Sequence, residues 1–133
     1  MTRIKDAAWA DDDAGQASGV AALRTIYGRE SHAGRSDPFL TETLADFIDD
    51  PQEAAALYGL SLEQSLEHPG EPLHTKRIGL ARALIELEEP ARAMAALDAA
   101  RFEANRNRDR EALKEIAELI ESMRRNDSDE RTR

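Results

Sequence analysis

Nonpolar residues recur at helical spacing along most of the chain, in stretches separated by polar or proline-containing breaks. A nonpolar residue at every third or fourth position marks one face of an amphipathic helix. In residues 17–28 this face is formed by Val20, Leu23, Ile26 and Tyr27. The same spacing predicts five more helices, from Pro38 to the break at Asp49 and over about 51–67, 72–88, 90–105 and 109–125.

Proline and acidic residues mark the points at which three of these helices begin. The pairs Asp37-Pro38 and Asp50-Pro51 each place a capping carboxylate before a proline. An N-cap aspartate accepts a hydrogen bond from the first turn, and proline is tolerated at the first helical position. Glu89-Pro90 forms a similar junction, and residues 68–72, HPGEP, form a loop. The pattern predicts consecutive antiparallel helices joined by short connections.

Composition supports an all-α fold and one domain of ordinary size. The chain has 133 residues, is rich in alanine and leucine, and contains a single valine, Val20. Alanine, leucine, glutamate and arginine are favourable in helices, whereas β-sandwiches need more β-branched and aromatic residues. We therefore expect a single helical domain over residues 17–125. It would lie between a flexible acidic arm, 1–16, which contains Trp9, and a disordered tail, 126–133.

Charge and cysteine content exclude several classes of function. There is no cysteine, which excludes a disulfide framework and a thiol nucleophile. The net charge of −9 disfavours nucleic-acid binding, which needs a basic face. No secretory signal or membrane-spanning stretch is recognisable, so we expect a cytoplasmic protein that does not contact membranes. An acidic surface would speed association with a basic protein partner, and solubility is the alternative explanation of the negative charge.

Two of the helix junctions resemble each other. Residues 44–54 read LADFIDDPQEA, and residues 83–93 read ALIELEEPARA. Both contain two acidic residues, then proline, then alanine three positions later. The two prolines, Pro51 and Pro90, are 39 residues apart. Repetition at this period is typical of helical repeat proteins.

In this respect the chain resembles the tetratricopeptide repeat family, over about residues 40–123. Residues 74–107 match its motif best, and the matching positions are Leu80, Ala81, Leu84, Ala93, Leu97 and Ala100. Ile116, Ala117 and Ile120 repeat the first three positions 36 residues later. Glu88 replaces the common turn glycine, and the spacings exceed the family's period of about 34. The resemblance implies helix hairpins stacked as a short α-solenoid with a C-terminal capping helix, and an unrelated helical bundle is the alternative.

No residue pattern points to catalysis, to a cofactor or to a metal site. His32, His68 and His74 lie near predicted loops, and the chain contains no HExxH motif. His68, Glu71 and His74 could approach one another around the HPGEPLH loop, but their spacing matches no familiar zinc pattern, so we favour simple solvation of that loop. Nucleophile elbows and glycine-rich phosphate loops are absent. We therefore expect no enzymatic activity and no cofactor.

The remaining hypothesis is a protein–protein interaction module for a dedicated partner, such as an adaptor, chaperone or regulator. In the family that the chain resembles, the first helix of each hairpin lines a concave surface. That analogy predicts a binding face formed by Thr75, Ile78, Arg82, Ile85, Glu86, Glu111, Lys114, Glu118 and Glu121. Ile78 and Ile85 have packing inside the protein as an alternative. An immunity or antitoxin protein that neutralises a bacterial toxin by binding is a second hypothesis, and a self-associating homodimer is a third.

Overall fold

The computed structural model describes residues 12–34 and 36–131, and within these ranges its regular secondary structure is entirely α-helical. The described residues form six helices: α1 (Asp12–His32), α2 (Pro38–Asp46), α3 (Pro51–Ser65), α4 (His74–Glu86), α5 (Pro90–Arg106) and α6 (Arg110–Arg131). The all-α prediction is confirmed. None of the helices in the described ranges is long and apolar enough to cross a membrane.

The predicted helix starts are correct where a capping aspartate precedes proline. Asp37 accepts a hydrogen bond from the backbone N–H of Leu40 at 3.1 Å. Asp50 accepts one from the backbone N–H of Glu53, also at 3.1 Å. Each carboxylate thereby satisfies an amide that has no partner within its own helix. These caps explain why α2 and α3 begin at their prolines.

The two end helices are longer than the sequence pattern predicts. Helix α1 begins at Asp12, so residues 12–16 of the predicted flexible arm are helical, while residues 1–11, with Trp9, lie outside the described residues. The helix also continues through Gly28 to His32. Helix α6 continues to Arg131, well into the predicted disordered tail. Both extensions consist largely of polar residues, which carry no apolar periodicity.

The chain divides into two compact units. Unit 1 ends at Glu71, and in it α1 packs on α2 and α2 packs on α3. Unit 2 begins at Pro72, and in it α5 packs between α4 and α6, which also contact each other. The HPGEP loop, 68–72, contains the division between the units.

Small side chains dominate the core of unit 2. Its buried cluster consists of Ile78, Ala81, Leu84, Ala93, Leu97, Ala100, Ala104, Ala112 and Ile116. Five of these nine residues are alanine, which lets the helix backbones approach closely, and leucine and isoleucine fill the remaining space. Unit 2 is therefore held together mainly by apolar contact.

Buried polar side chains join the two helices of the α2–α3 hairpin in unit 1. Ser61, which is fully buried, donates a hydrogen bond to the carbonyl oxygen of Pro38 at 2.6 Å. Thr41, also fully buried, donates to the side-chain oxygen of Gln64 at 2.7 Å. These hydrogen bonds join the start of α2 to the end of α3. Together with the apolar contacts, they hold the two helices of the hairpin in register.

The repeat inferred from the two prolines has a counterpart in the burial of side chains. Helix α3 buries Ala54, Tyr58, Ser61 and Ser65, and α5 buries Ala93, Leu97, Ala100 and Ala104. Each residue of the second set lies 39 positions after its counterpart in the first. The proposed correspondence between Ala81 and Ala117 does not extend to burial, because Ala81 is buried and Ala117 is exposed. Ala81 belongs to the α4–α5 core, and no helix follows α6 within the described residues.

Both connections in unit 2 contain a residue in the left-handed region. Glu88 follows α4 with φ of 59°, and Arg108 follows α5 with φ of 54°. The backbone N–H of Glu89 donates to the carbonyl of Leu84, and that of Asp109 donates to the carbonyl of Ala104, both at 2.9 Å. This is the Schellman arrangement, which most often uses glycine at the left-handed position.

Candidate functional site

An ion pair between Arg82 and Glu115 joins α4 to α6. Glu86 lies one helical turn beyond Arg82 on α4, and Glu111 and Glu118 lie one turn on either side of Glu115 on α6. The pair therefore brings one stripe of each helix to the same side of unit 2. We call these two stripes the α4–α6 face. Four glutamates lie on it or beside it with two basic residues, Arg82 and Lys114, so its charge is mainly negative.

The nine residues predicted to bind a partner differ in their exposure. Glu86, Glu111, Lys114, Glu118 and Glu121 are exposed. Thr75, Arg82 and Ile85 are half-buried. Ile78 is only 3% exposed and belongs to the core cluster of unit 2, so its side chain does not reach the surface. For Ile78, packing inside the protein is the correct alternative. Glu115 was absent from the predicted set, although its spacing from Glu111 and Glu118 places it on their stripe.

A buried histidine connects all three helices of unit 2. His74 is the first residue of α4 and is 4% exposed. Its Nδ1 lies 3.1 Å from an oxygen of Glu103 on α5, and its Nε2 lies 2.8 Å from an oxygen of Asp109, directly before α6. Both ring nitrogens thus face carboxylates, which only the doubly protonated, charged ring can satisfy at the same time. We call these three residues the histidine clamp.

Further hydrogen bonds hold the two carboxylates of the clamp in place. Glu103 accepts a hydrogen bond from the backbone N–H of Leu73 at 2.9 Å, and Arg77 lies 3.7 Å from its second oxygen. Asp109 accepts one from the backbone N–H of Ala112 at 3.1 Å, which caps α6. Each carboxylate therefore contacts His74 and also accepts a hydrogen bond from a backbone N–H at the start of a helix.

The clamp shifts the pKa of each of its members. Burial by itself lowers the pKa of His74, but its hydrogen bonds and the charges of Glu103 and Asp109 outweigh burial and raise the pKa above its ordinary value. Burial works to raise the pKa of Glu103, and the hydrogen bonds from His74 and from the backbone lower it overall. The hydrogen bond from His74 is the main cause of the lowered pKa of Asp109. All three shifts favour the charged forms.

The position of His74 corrects its assignment to a solvated loop. Its two partners lie 29 and 35 residues away in the sequence, so neither is visible in the local pattern around the HPGEPLH loop. His68, by contrast, is exposed, as that prediction expected. No group of three histidine, aspartate or glutamate side chains that could hold a metal ion occurs in the described part of the chain.

Comparisons with protein-family models, with curated proteins and with solved structures gave no match for this chain. The resemblance to the tetratricopeptide repeat family therefore depends on the residues quoted above alone. The α4–α6 face combines exposed glutamates with the half-buried Arg82 and Glu115. The buried histidine clamp holds the helices of unit 2 together.

Proposed function

We propose that this chain is a protein-binding module that holds a dedicated, basic protein partner on the α4–α6 face. The observation that carries the proposal is the Arg82–Glu115 pair, because it aligns the exposed glutamates of two helices on one side of unit 2. Charge complementarity of this kind increases the rate of association and the specificity for one partner. Half-buried Ile85, one turn from Arg82, adds apolar surface at the same place.

We further propose that the hairpins have the arrangement of tetratricopeptide repeats. Three observations support this proposal. The buried positions of α3 and α5 repeat at a constant interval, α5 packs between α4 and α6, and α4 also contacts α6. In such an arrangement the first helices of successive hairpins are neighbours, and α4 and α6 would be these helices in unit 2.

The test is an affinity pull-down from the source organism with the full chain as bait, followed by mass spectrometry and by titration of the partner that is found. Glu118→Arg reverses one exposed charge of the α4–α6 face. Asp98→Arg is the matched control, because it reverses one exposed charge on α5, where the pair with Arg101 is a surface contact of little energetic weight. We expect Glu118→Arg to weaken binding about tenfold and the control to bind normally.

Two outcomes would contradict the proposal. Equal binding by both variants would show that the face does not contact the partner. Recovery of no partner, together with a homodimer in light scattering, would favour self-association. Where one partner is found, its identity distinguishes an adaptor from an immunity protein, since only the latter would bind a toxin and abolish its activity.

A further inference from the structure

Helix α3 is nonpolar on every side over two turns. Residues 54–60 read AAALYGL, and seven consecutive residues cover the whole circumference of a helix. Only Ala54 and Tyr58 in this segment are buried, while the others are half-buried or exposed. A helix that is apolar all round is ordinarily covered all round. The side of α3 that faces away from α2 is therefore more apolar than a helix surface exposed to water needs to be.

One row of residues on α3 is apolar, and we call it the α3 stripe: half-buried Ala55, Gly59 and Leu62, and exposed Leu66. Their spacing places them along one side of the helix and its C-terminal cap, over about 17 Å. Leu66 is 79% exposed. A Cβ atom added to Gly59 would meet no atom within 4 Å, so the space above the stripe is open there.

The repeat supplies an internal comparison for this surface. The residues 39 positions after the α3 stripe are Met94, Asp98, Arg101 and Asn105 on α5. Asp98 and Arg101 form an exposed ion pair at 2.7 Å, and Asn105 is exposed. The same side of a hairpin is thus mostly polar and solvated in unit 2. Because the matching hairpin folds with polar residues there, the leucines of the α3 stripe are not needed for the packing of α3 on α2.

The charge around the stripe indicates the chemistry of its partner. Residues 36–75 contain nine aspartates and glutamates and no lysine or arginine. Glu63 and Glu67 are exposed and directly follow Leu62 and Leu66, so they border the stripe. Residues 72–133, by contrast, contain 13 acidic and 13 basic residues. An apolar surface with an acidic border is complementary to an apolar segment that carries positive charges.

We propose that the α3 stripe is a docking surface for a cationic amphipathic helix of a partner protein. Anchors on such a helix recur at three and four residues, which matches the spacing of the stripe. The small residues Ala55 and Gly59 let the partner backbone approach closely, and Leu62 and Leu66 pack between its apolar side chains. The lysines or arginines of the partner then meet Glu63 and Glu67. This surface lies in unit 1, so its function does not depend on the α4–α6 face.

Two synthetic peptides of the same length and apolar pattern test the proposal with the full chain. One combines leucine with lysine, and the other combines leucine with glutamate, and fluorescence anisotropy measures their binding. We expect the lysine peptide to bind, the glutamate peptide to show no binding, and Leu62→Ser/Leu66→Ser to weaken binding at least about tenfold. Phe102→Ser is the apolar control, because Phe102 is 66% exposed but lies in unit 2, and it should bind normally.

Charge variants distinguish binding at the α3 stripe from general attraction of the peptide by the net charge of the chain. Glu63→Lys/Glu67→Lys changes the net charge by the same amount as Glu88→Lys/Asp98→Lys, a control pair that lies outside the α4–α6 face, and all four side chains are exposed. Only Glu63→Lys/Glu67→Lys should weaken binding of the lysine peptide, by about tenfold or more. Equal losses in both pairs would overturn the proposal, since binding would then follow the charge of the whole chain. If Glu63→Lys/Glu67→Lys did not weaken binding of the peptide, the docking proposal would be wrong. The proposal for the α4–α6 face would still stand, because that face is tested with other residues and another ligand.

Unfolding in urea checks that the stripe is uncovered in the free protein. The unfolding midpoint of Leu66→Ser should equal that of the unchanged chain, because an exposed side chain contributes little to stability. A clear drop in the midpoint would show that Leu66 is already covered within the chain, and this would also overturn the proposal. Peptide-induced shifts of the backbone amide signals should be largest over residues 55–67.

Discussion

The second helices of the two hairpins, α3 in unit 1 and α5 in unit 2, bury equivalent positions with different side chains. Tyr58, Ser61 and Ser65 of α3 correspond to Leu97, Ala100 and Ala104 of α5. In unit 1 the hydroxyl groups form hydrogen bonds, for example between Ser61 and the carbonyl of Pro38. In unit 2 the same places are held by contacts of methyl groups with the neighbouring helices.

This difference shows that one pattern of buried positions tolerates two kinds of stabilisation. Apolar contact depends on the area removed from water and on close packing, whereas a buried hydrogen bond depends on the position of each partner. Unit 2 compensates for its small core residues with the histidine clamp, which joins α4, α5 and the start of α6. Each kind of stabilisation should therefore respond to its own type of substitution.

The largest effect is expected from Leu97→Ala in the apolar core of unit 2. Leu97 is fully buried, so its truncation leaves a cavity and should lower the free energy of unfolding by about 2–5 kcal/mol. Urea unfolding followed by circular dichroism measures the change. Phe102→Ala, at a residue 66% exposed on the same helix, should cost less than about 1 kcal/mol. Similar losses in both variants would mean that the core of unit 2 is loosely packed.

The histidine clamp should make unit 2 sensitive to pH. The raised pKa of His74 means that its stabilisation is complete below about pH 6.5 and is lost as the pH rises through the folded-state value. The lowered pKa values of Glu103 and Asp109 mean that their stabilisation is present above about pH 4.5 and is lost as the pH falls through their folded-state values. The clamp is therefore strongest between about pH 4.5 and 6.5.

His74→Gln tests this dependence, because glutamine cannot carry the charge. At pH 6 the variant should lose about 1–3 kcal/mol of the free energy of unfolding, since hydrogen bonds to charged groups are the stronger ones. The difference from the unchanged chain should shrink toward pH 9. His68→Gln, at an exposed loop position, is the control. A constant difference across this pH range would show that His74 acts through packing alone.

Reciprocal exchange of a buried serine and alanine tests the contrast between the hairpins. Ser61→Ala removes the hydrogen bond to Pro38 and should cost about 1 kcal/mol. Ala100→Ser introduces a hydroxyl into the apolar cluster of unit 2 and should cost a similar amount, since that group enters a core of methyl groups. Urea unfolding measures both variants. Stabilisation by Ser61→Ala would mean that unit 1 also relies on apolar contact at this position.

The smallest effect, a gain, is expected at the left-handed residue after α4. Glu88→Gly removes the steric cost of a side chain at φ of 59° and should raise the free energy of unfolding by up to about 1 kcal/mol. Asn107→Gly in the connection between α5 and α6 is the control, because Asn107 has φ of −88°, and it should lower stability through the greater freedom of the unfolded chain. A loss in Glu88→Gly would indicate a stabilising contact of the Glu88 side chain.

Much of the helical architecture was predictable from the sequence because its causes are local. The apolar spacing indicated six helices, and the Asp37-Pro38 and Asp50-Pro51 pairs marked two starts to the residue. The extensions of α1 and α6 were not predictable from that spacing, since they are largely polar. Part of the predicted binding face is exposed, but Ile78 is not, because apolar periodicity does not distinguish a residue facing a neighbouring helix from one facing a partner.

The sequence by itself determined where helices form, which residues cap them and where the hairpins repeat, because each of these depends on residues a few positions apart. Only the tertiary structure decided that Arg82 meets Glu115 and that His74 lies between Glu103 and Asp109. It also decided that the chain divides into two units. The physical reason is that these features depend on the packing of whole helices, which brings together charged groups separated by about thirty residues.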